Sequence, residues 1–395
     1  MLYKPFQNLQ LSALGFGTMR LPVLADGTID QKELDRMTDL AIAGGVNYFD
    51  TAHPYHGGKS EGAIGRSLKR YDRDRWYLAD KFPGHQNVRG VTELQPKQVF
   101  EEQLRRCGVE YFDFYLMHNV NENSMQYYCN PEKRWLEYFL EQKEKGRIRH
   151  LGFSCHAGPE GLRRFVDQYG GDMEFCQIQL NYVDWKLQDA KQKCRILQEK
   201  GLPVWVMEPV RGGKLAAFDA GTEEKMRALR PDESCAAWAF RWLQTLPKPT
   251  MILSGMSTPA QMEDNIRTFL EEKPLNEEEL KILDGIAERI SGSIPCTACR
   301  YCCAGCPVGL DIPTLLALAN ELELGGGTIN TVMRYSGLGD GKRADDCIGG
   351  GQCEGICPQK IKVPEEMRKL AAAIKQQKSW EEICLERERA AAAGK

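Results

Sequence analysis

The stretch Val46-Asn-Tyr-Phe-Asp-Thr-Ala-His-Pro-Tyr55 decides the fold. It is an apolar run of strand length that ends in Asp50, and Tyr55 follows directly after Pro54. A short apolar run bounded by turn residues predicts a buried strand. Because the carboxyl ends of neighbouring parallel strands meet at one edge of a sheet, the ends of the other strands determine whether Asp50 and Tyr55 have chemical partners.

Apolar runs of this kind recur along the chain and alternate with amphipathic segments of helix length, such as QKELDRMTDLAIAG (31–44). Such segments have the 3.6-residue period that covers a parallel sheet. The eight runs are LSALGFGTM (11–19), VNYFDT (46–51), RWYLADK (75–81), FDFYLMH (112–118), RHLGFS (149–154), FCQIQLNY (175–182), PVWVMEP (203–209) and TMILSG (250–255). Eight βα units predict an α/β fold, a closed (β/α)8 TIM barrel.

Three adjacent runs end in polar residues that make chemical sense together. These residues are Asp50, Lys81 and His118, and Tyr55 follows Asp50 in the loop above the barrel. A lysine ammonium favours phenolate, so we expect a lowered pKa for Tyr55 and a proton donor near neutral pH. Asp50 keeps Lys81 charged, and His118 donates a hydrogen bond to a substrate carbonyl oxygen. We interpret the group as a carbonyl-reducing site.

These residues and their surroundings resemble the aldo-keto reductases over about residues 1–290. The matching motifs are GFGTMRLP (15–22), Asp50-Thr51-Ala52, Leu116-Met117-His118 and Gly152-Phe153-Ser154. The resemblance implies an NAD(P)H-dependent oxidoreductase that reduces an aldehyde or ketone, or oxidises the alcohol, by hydride transfer. The proton donor of the family corresponds to Tyr55. The rest of its catalytic tetrad corresponds to Asp50, Lys81 and His118.

The same resemblance implies which residues hold NADP or NAD. Family members that prefer NADPH often carry an arginine where this chain has the neutral Gln261, so the choice between NADH and NADPH stays open, with Arg267 as a candidate substitute. The implied cofactor contacts are Ser154, Gln177, Asn181, Pro209, Arg211, Gly212, Gly213, Gln261, Asp264 and Asn265.

Two cysteine runs near the C-terminus have the ligand spacing of a two-cluster bacterial ferredoxin. They are Cys296-x2-Cys299-x2-Cys302-x3-Cys306-Pro307 and Cys347-x5-Cys353-x3-Cys357-Pro358. Because the fourth cysteine of each run crosses to the other cluster, the pattern assigns one [4Fe–4S] cluster to Cys296, Cys299, Cys302 and Cys357. Structural zinc is the alternative interpretation of such cysteine pairs.

The second cluster has only three of the expected four thiolates. The pattern gives it Cys306, Cys347 and Cys353, and Gly350 occupies the position of the fourth cysteine. The sequence therefore predicts either a [3Fe–4S] cluster or a [4Fe–4S] cluster with another fourth ligand. Cys303 is a spare thiol near the first run.

The sequence predicts two domains, 1–290 for the barrel and 291–395 for a small α-helical ferredoxin-like iron–sulfur domain with a C-terminal helix. The segment 310–346 contains a helix that we expect to pack on the barrel or on a second subunit, and to border the substrate entrance. The net charge is −3, with 52 basic and 55 acidic residues, which argues against nucleic acid or an anionic membrane as partner. No run of 18 apolar residues occurs. We expect a cytoplasmic protein that acts on a small molecule, with a homo-oligomer possible.

Hydride carries two electrons, whereas an iron–sulfur cluster accepts one. A flavin commonly connects the two kinds of transfer, but the sequence shows no flavin fingerprint, so a flavin is possible and not visible. A second hypothesis is therefore a reductase that receives single electrons through the clusters from ferredoxin or a flavoprotein. A third hypothesis, from another class, is a redox-responsive protein that only binds nicotinamide.

Overall fold

The computed structural model describes most of the chain. The described residues are 1–87, 93–122, 124–247, 249–291, 294, 296, 301–325, 329–357 and 361–393. Cys299, one of the predicted cluster ligands, lies outside them. The structure therefore describes only three of the four cysteines expected for the first cluster.

The chain begins with an antiparallel hairpin that the sequence did not predict. It consists of β1 (Tyr3–Phe6) and β2 (Leu9–Ser12). The run 11–19, expected as one strand, is divided at Ala13, whose N–H donates to Leu2 O at 2.8 Å instead of continuing a strand ladder. Phe6 packs edge-on against the buried ring of Trp205 at 4.9 Å between centroids. The hairpin therefore covers the core inside the barrel.

Eight parallel strands form a closed barrel, which confirms the predicted α/β fold. The first and last strands of the barrel pair with each other, for example Ser254 beside Phe16. Going round the barrel, the order is β10-β3-β4-β5-β6-β7-β8-β9. The strands are β3 (Leu14–Gly17), β4 (Tyr48–Asp50), β5 (Tyr77–Phe82), β6 (Phe112–Val120), β7 (Ile148–Cys155), β8 (Cys176–Gln179), β9 (Val204–Met207) and β10 (Pro249–Gly255).

Helices surround the barrel, and the first of them covers the predicted segment 31–44. Their apolar faces join the strands in one core, in which Leu34, Phe100 and Phe165 are fully buried. No helix in the described part of the chain is long and apolar enough to span a membrane. The helices are α1 (Gln31–Ala43), α2 (Ser60–Leu68), α3 (Pro96–Cys107), α4 (Met125–Tyr128), α5 (Trp135–Glu144), α6 (Pro159–Tyr169), α7 (Asp184–Leu187), α8 (Ala190–Glu199), α9 (Ala220–Leu229), α10 (Cys235–Gln244), α11 (Pro259–Thr268) and α12 (Glu277–Ser291).

The C-terminal region is helical and has its own small core. Leu315, Leu318 and Met367 are buried there among the cysteines. A separate contact joins Met333 to Trp380 and Cys384. The helices are α13 (Tyr301–Ala304), α14 (Ile312–Gly325), α15 (Ile329–Ser336), α16 (Gln352–Ile356), α17 (Val363–Lys375) and α18 (Trp380–Ala393).

This region packs on the carboxyl ends of the barrel strands. The ring of Trp380 lies 5.8 Å from that of His85, which follows β5. Asn330 in α15 contacts His156, which follows β7, at 3.2 Å between Nδ2 and Nδ1. The expectation that the segment between the cysteine runs packs on the barrel is therefore confirmed.

Helices α2 and α3 approach so closely that only glycine fits at residue 65. A Cβ there would overlap the carbonyl oxygen of Cys107. Gly65→Ala should lower the free energy of unfolding by about 1–3 kcal/mol, because backbone has to move to relieve the clash. Gly62→Ala is the matched control, since its nearest neighbour would lie 3.4 Å away and alanine favours helix. Urea unfolding followed by circular dichroism measures both; equal stability of the two variants would contradict the prediction.

Candidate active site

A buried ion pair forms the floor of the site at the carboxyl ends of β4 and β5. Lys81 Nζ donates to Asp50 Oδ1 at 2.5 Å and to the Thr51 carbonyl oxygen at 2.6 Å. Burial alone lowers the pKa of Lys81, but the Asp50 carboxylate, with Tyr55, outweighs it and the net shift is upward. Burial raises the pKa of Asp50, and the adjacent ammonium opposes this shift. The pair keeps a lysine charge inside the barrel.

Tyr55 lies over this pair. It begins a short turn in which His56 and Gly57 have positive φ angles of 51° and 63°. His56 Nε2 accepts the Leu21 N–H at 3.1 Å, which anchors the turn to the loop after β3. Lys81 Nζ is 5.2 Å from the centre of the Tyr55 ring. The turn therefore holds the phenol above the lysine charge.

The pKa of Tyr55 differs from the sequence-based expectation. Burial raises it, and this effect exceeds the opposing effect of Lys81. The expected lowering is therefore wrong for the site as described, because the cost of placing a phenolate in the apolar barrel mouth exceeds the stabilisation by one ammonium. The consequence is that Tyr55 keeps its proton throughout the neutral pH range.

His118 reaches the same place from β6. Its ring centre is 6.0 Å from that of Tyr55. The pairing of β6 with β7 shifts register between Met117 and Val120, and Asn119 adopts a left-handed φ of 56°. The His118 carbonyl oxygen accepts the Tyr128 hydroxyl at 2.6 Å, which fixes the irregular strand end. The structure thus brings the four predicted catalytic residues together.

A cavity of about 710 Å³ opens above these residues. Asp50, Tyr55 and His118 line it, and Lys81 lies fully buried beneath it. The predicted cofactor residues that line the cavity are Gln177, Pro209, Gly212, Gly213, Gln261, Asp264 and Asn265.

Ser154, Asn181 and Arg211 lie behind the cavity wall instead. Ser154 Oγ accepts the Asn119 N–H at 2.8 Å. Asn181 is fully buried, and its Nδ2 donates to Asp184 Oδ2 at 2.7 Å. Arg211 Nε donates to the same carboxylate, at 3.2 Å from Oδ1. These side chains hold the loops that line the cavity.

The cavity offers polar groups suited to a nicotinamide dinucleotide. Gln177 Oε1 is buried and has no hydrogen-bond partner among the described residues. The N–H of a bound carboxamide would supply the donor that this oxygen lacks. Gly212 and Gly213 have φ angles of 67° and 95°, so the loop after β9 turns tightly and presents backbone without side chains. Such a loop allows close approach of a phosphate.

Arg20 is a residue of this cavity that the strand-end analysis missed. Its side chain lies against Gly255 and beside Gly212. If residue 212 carried a Cβ, that atom would be 2.9 Å from Arg20 Nη2. Ser257 Oγ donates to the Arg20 carbonyl oxygen at 2.8 Å. The sequence signal was the GFGTMRLP motif, in which the arginine comes three residues after the end of β3.

The far end of the cavity has a carboxylate on its wall. Asp264 and the neutral Gln261 line it. Arg267, the candidate substitute for a phosphate-binding arginine, is largely exposed and pairs with Asp264 at 2.5 Å. Among the described lining residues, Arg20 is the one lysine or arginine.

The C-terminal region supplies another wall of the cavity. Ile329, Asn330 and Met333 of α15 line it, as expected for the segment between the cysteine runs. Trp380, at the start of α18, also lines it and was not predicted. Met333 Sδ lies 3.9 Å from Asn119 Nδ2, next to His118.

Cysteines of both runs are neighbours in the C-terminal region. Cys306, Cys347 and Cys353 line one cavity together with Gly350. The Leu310 N–H donates to Cys306 Sγ at 3.4 Å, a contact of the kind that tunes cluster ligands. No three His, Cys, Asp or Glu side chains among the described residues are placed to hold a single metal ion.

The first cysteine run also has close thiols. The pKa of Cys302 is raised to about 12, mainly by burial and to a smaller extent by the nearby thiols of Cys303 and Cys296. Cys357 packs against the same core. Cys303 therefore lies beside a predicted first-cluster ligand.

Known relatives with low sequence identity to this chain are oxidoreductases. An uncharacterised oxidoreductase, YrpG, of Bacillus subtilis is 24% identical over 326 residues, covering 73% of this chain and 96% of the relative. The NADH-specific methylglyoxal reductase of Escherichia coli is 22% identical, covering 66% and 90%. A probable aldo-keto reductase of Glycine max is 24% identical, and the match spans 56% of this chain but only 64% of that protein.

Solved structures share the barrel. The holo form of an aldo-keto reductase from Bacillus halodurans has a TM-score of 0.57 at 24% identity, covering 72% of this chain and 96% of that chain. An aldo-keto reductase from Klebsiella pneumoniae in complex with NADPH has a TM-score of 0.57 at 21% identity, covering 73% and 96%. At sequence identities this low, the similarity to these structures shows only a common fold.

Two family models match consecutive parts of the chain. A 4Fe-4S dicluster domain matches residues 295–362. The aldo/keto reductase family matches residues 13–288, which is more than half of the chain and includes the barrel and the four predicted catalytic residues. The chain therefore belongs to the aldo/keto reductase family of oxidoreductases, and its barrel is followed by a region that matches a 4Fe-4S dicluster domain.

Proposed function

We propose that the protein is a nicotinamide-dependent carbonyl reductase that reduces an aldehyde or ketone, or oxidises the corresponding alcohol. The observation that carries this proposal is the buried Lys81–Asp50 pair beneath the ring of Tyr55, with Nζ 2.5 Å from Oδ1 and 5.2 Å from the ring centre. A binding protein has no need for a charged lysine under a phenol, because that arrangement stabilises a proton-transfer product. This argues against the hypothesis of a protein that only binds nicotinamide.

Tyr55 is the proton donor in this proposal. Its raised pKa keeps the proton in place until negative charge develops on the substrate oxygen. As the proton leaves, the Lys81 charge stabilises the phenolate, and Asp50 holds that lysine in position. His118 stands across the cavity mouth and donates a hydrogen bond to the same oxygen.

The cavity would hold the cofactor in an extended form, with nicotinamide supplying hydride when bound. Gln177 receives the carboxamide, and Arg20 with Gly212 and Gly213 receives the pyrophosphate. At the adenosine end, Gln261 is neutral and Asp264 is already paired with Arg267, so no lysine or arginine of the described lining is available there for a 2′-phosphate, and we propose NADH over NADPH.

We propose that residues 1–290 form the reductase and residues 291–395 an iron–sulfur domain. Cys296, Cys299, Cys302 and Cys357 would hold a [4Fe–4S] cluster, and Cys306, Cys347 and Cys353 the second cluster. Such clusters supply one-electron transfer when bound. The packing of α15 and α18 on the cavity supports a second candidate function, in which ferredoxin or a flavoprotein delivers electrons to the barrel through this domain.

Tyr55→Phe should lower kcat for reduction of an aldehyde by at least about 100-fold, because it removes the general acid. The affinity for NADH should stay the same. Tyr77→Phe is the control, because Tyr77 begins β5 and lies at the opposite end of that strand from Lys81. Steady-state kinetics on anaerobically purified protein measure both. Full activity of Tyr55→Phe would refute the proposed proton donor.

The pH profile tests the same residue independently. A donor must be protonated, and the pKa of Tyr55 lies above the ordinary value of 10.0, so its proton is present below that pH and lost only above it. We therefore expect that Tyr55 ionisation causes no fall in the reduction rate up to pH 10. A fall near neutral pH that Tyr55→Phe abolishes would contradict this.

Arg20→Met should weaken NADH binding about tenfold to a hundredfold, because it removes a charge-assisted hydrogen bond to phosphate. Arg36→Met is the matched control, since Arg36 is an exposed arginine of α1 that does not line the cavity. Fluorescence titration with NADH and NADPH measures the dissociation constants, and NADH should bind more tightly to the unmodified protein. Equal losses in the two variants would contradict the assignment of Arg20.

Gly350→Cys should convert the second cluster to one with four cysteine ligands. In the described part of the chain, no atom lies within 4 Å of the place that a Cβ of residue 350 would take, so cysteine fits there. The φ angle of Gly350 is not positive, so its backbone conformation also suits cysteine. The neighbouring Gly349 and Gly351 have φ angles of 72° and 70°. Air-oxidised protein should show a [3Fe–4S] signal by EPR, and the variant should lose it and gain iron. Gly355→Cys, whose Cβ position is also open, is the control, and an unchanged signal in Gly350→Cys would contradict the predicted ligand position.

A further inference from the structure

Two cavities meet at one pair of rings. The active-site cavity and a second cavity of about 460 Å³, which lies between the barrel and the C-terminal helices, share His85 and Trp380 as lining residues. The two rings are 5.8 Å apart and inclined by 31°. Trp380 is only 5% exposed, so the pair closes the active-site cavity on that side.

The ring pair is close to the catalytic group. The His85 ring is 4.6 Å from the His118 ring, and His85 Nδ1 contacts the His118 carbonyl oxygen at 3.2 Å. Met333 extends the same wall, since its Sδ is 3.9 Å from Asn119 Nδ2. A substrate whose oxygen reaches Tyr55 and His118 would therefore have its remaining atoms against this wall.

This part of the cavity has no carboxylate, lysine or arginine among its described lining residues, and its titratable groups are the imidazoles of His85, His118 and His156. Ile329, Met333 and Trp380 are apolar, and Asn119 and Asn330 are neutral. His156 is neutral as well, because burial, with the charges of Lys193 and Arg334, lowers its pKa to about 3.

The charged lining residues lie elsewhere. Asp50 is in the floor and paired with Lys81. A Cβ at Gly212 would lie 2.9 Å from Arg20 Nη2 and 4.0 Å from Glu208 Oε2, so these two charges surround the glycine loop. A substrate carboxylate against Trp380 would thus lose its water without meeting a lysine or arginine among the described lining residues, which is costly.

We propose that Trp380, together with Met333, is the specificity-determining wall of the substrate pocket and selects uncharged carbonyl compounds that carry an aromatic or other flat apolar group. The inference rests on the proposed carbonyl reduction and adds the substrate class. A flat ring gains contact with the indole and with the soft thioether, whereas a small aldehyde does not reach them. The residue that selects the substrate then belongs to the iron–sulfur region, far from the barrel in sequence.

The test compares three aldehydes: benzaldehyde, 4-carboxybenzaldehyde and propanal. For the unmodified, cluster-loaded protein, kcat/KM should be highest for benzaldehyde and at least about tenfold lower for the carboxylate analogue. Trp380→Ala should lower kcat/KM for benzaldehyde about tenfold, with propanal changed by less than about threefold. Trp380→Phe should restore most of the benzaldehyde activity, because it keeps a ring.

Ile383→Ala is the matched control in the same helix, because Ile383 packs near Trp380 but lines neither cavity. The iron content of each variant verifies that the C-terminal region that forms the wall is intact. The NADH affinity verifies that the cofactor site is intact. Equal losses for benzaldehyde and propanal in Trp380→Ala, or an equal loss in Ile383→Ala, would overturn the inference. Absence of activity with every aldehyde in the unmodified protein would instead overturn the proposed function.

Discussion

The site depends on one buried ion pair. Lys81 is fully inside the barrel, and removing a charge from water is costly unless an opposite charge and hydrogen-bond acceptors replace the water. Asp50 and the Thr51 carbonyl oxygen provide them from the adjacent strand. Strand pairing therefore sets the position of the charge: β4 and β5 lie side by side, with Asp50 paired to Ala79 two residues before Lys81. The turn that holds Tyr55 extends from the same strand end.

Much of the barrel, and the meeting of Asp50, Lys81 and His118 at its mouth, was predictable because the signals are local. An apolar run indicates each strand of three to nine residues, and closure of the barrel brings the ends of β4, β5 and β6 together without further information. The N-terminal hairpin was missed because its turn, Gln7-Asn8, contains neither glycine nor proline. The division of the run 11–19 was missed because nothing in the apolar pattern marks Ala13. The pKa of Tyr55 was misjudged since sequence shows the neighbouring charge but not the extent of burial.

Other parts of the site were beyond sequence reasoning because they depend on contacts between distant segments. Arg20 is recognisable as a cavity residue only once the loop with Gly212 has folded towards it. Ser154, Asn181 and Arg211 carry polar groups at strand ends, but internal hydrogen bonds use those groups, and the sequence gives no sign of this. Trp380 follows the second cysteine run by more than twenty residues, so nothing local connects it with His85.

The position of Trp380 also has a consequence for how the protein is made. The barrel strands are complete at Gly255, so the reductase half can begin to fold while the rest of the chain is still being synthesised. The wall formed by α15 and α18 is synthesised after these strands and closes over a cavity whose other walls belong to the barrel. The cavity above Tyr55 is therefore completed only after the barrel has been made, and its completion reports that α15 and α18 have folded in place.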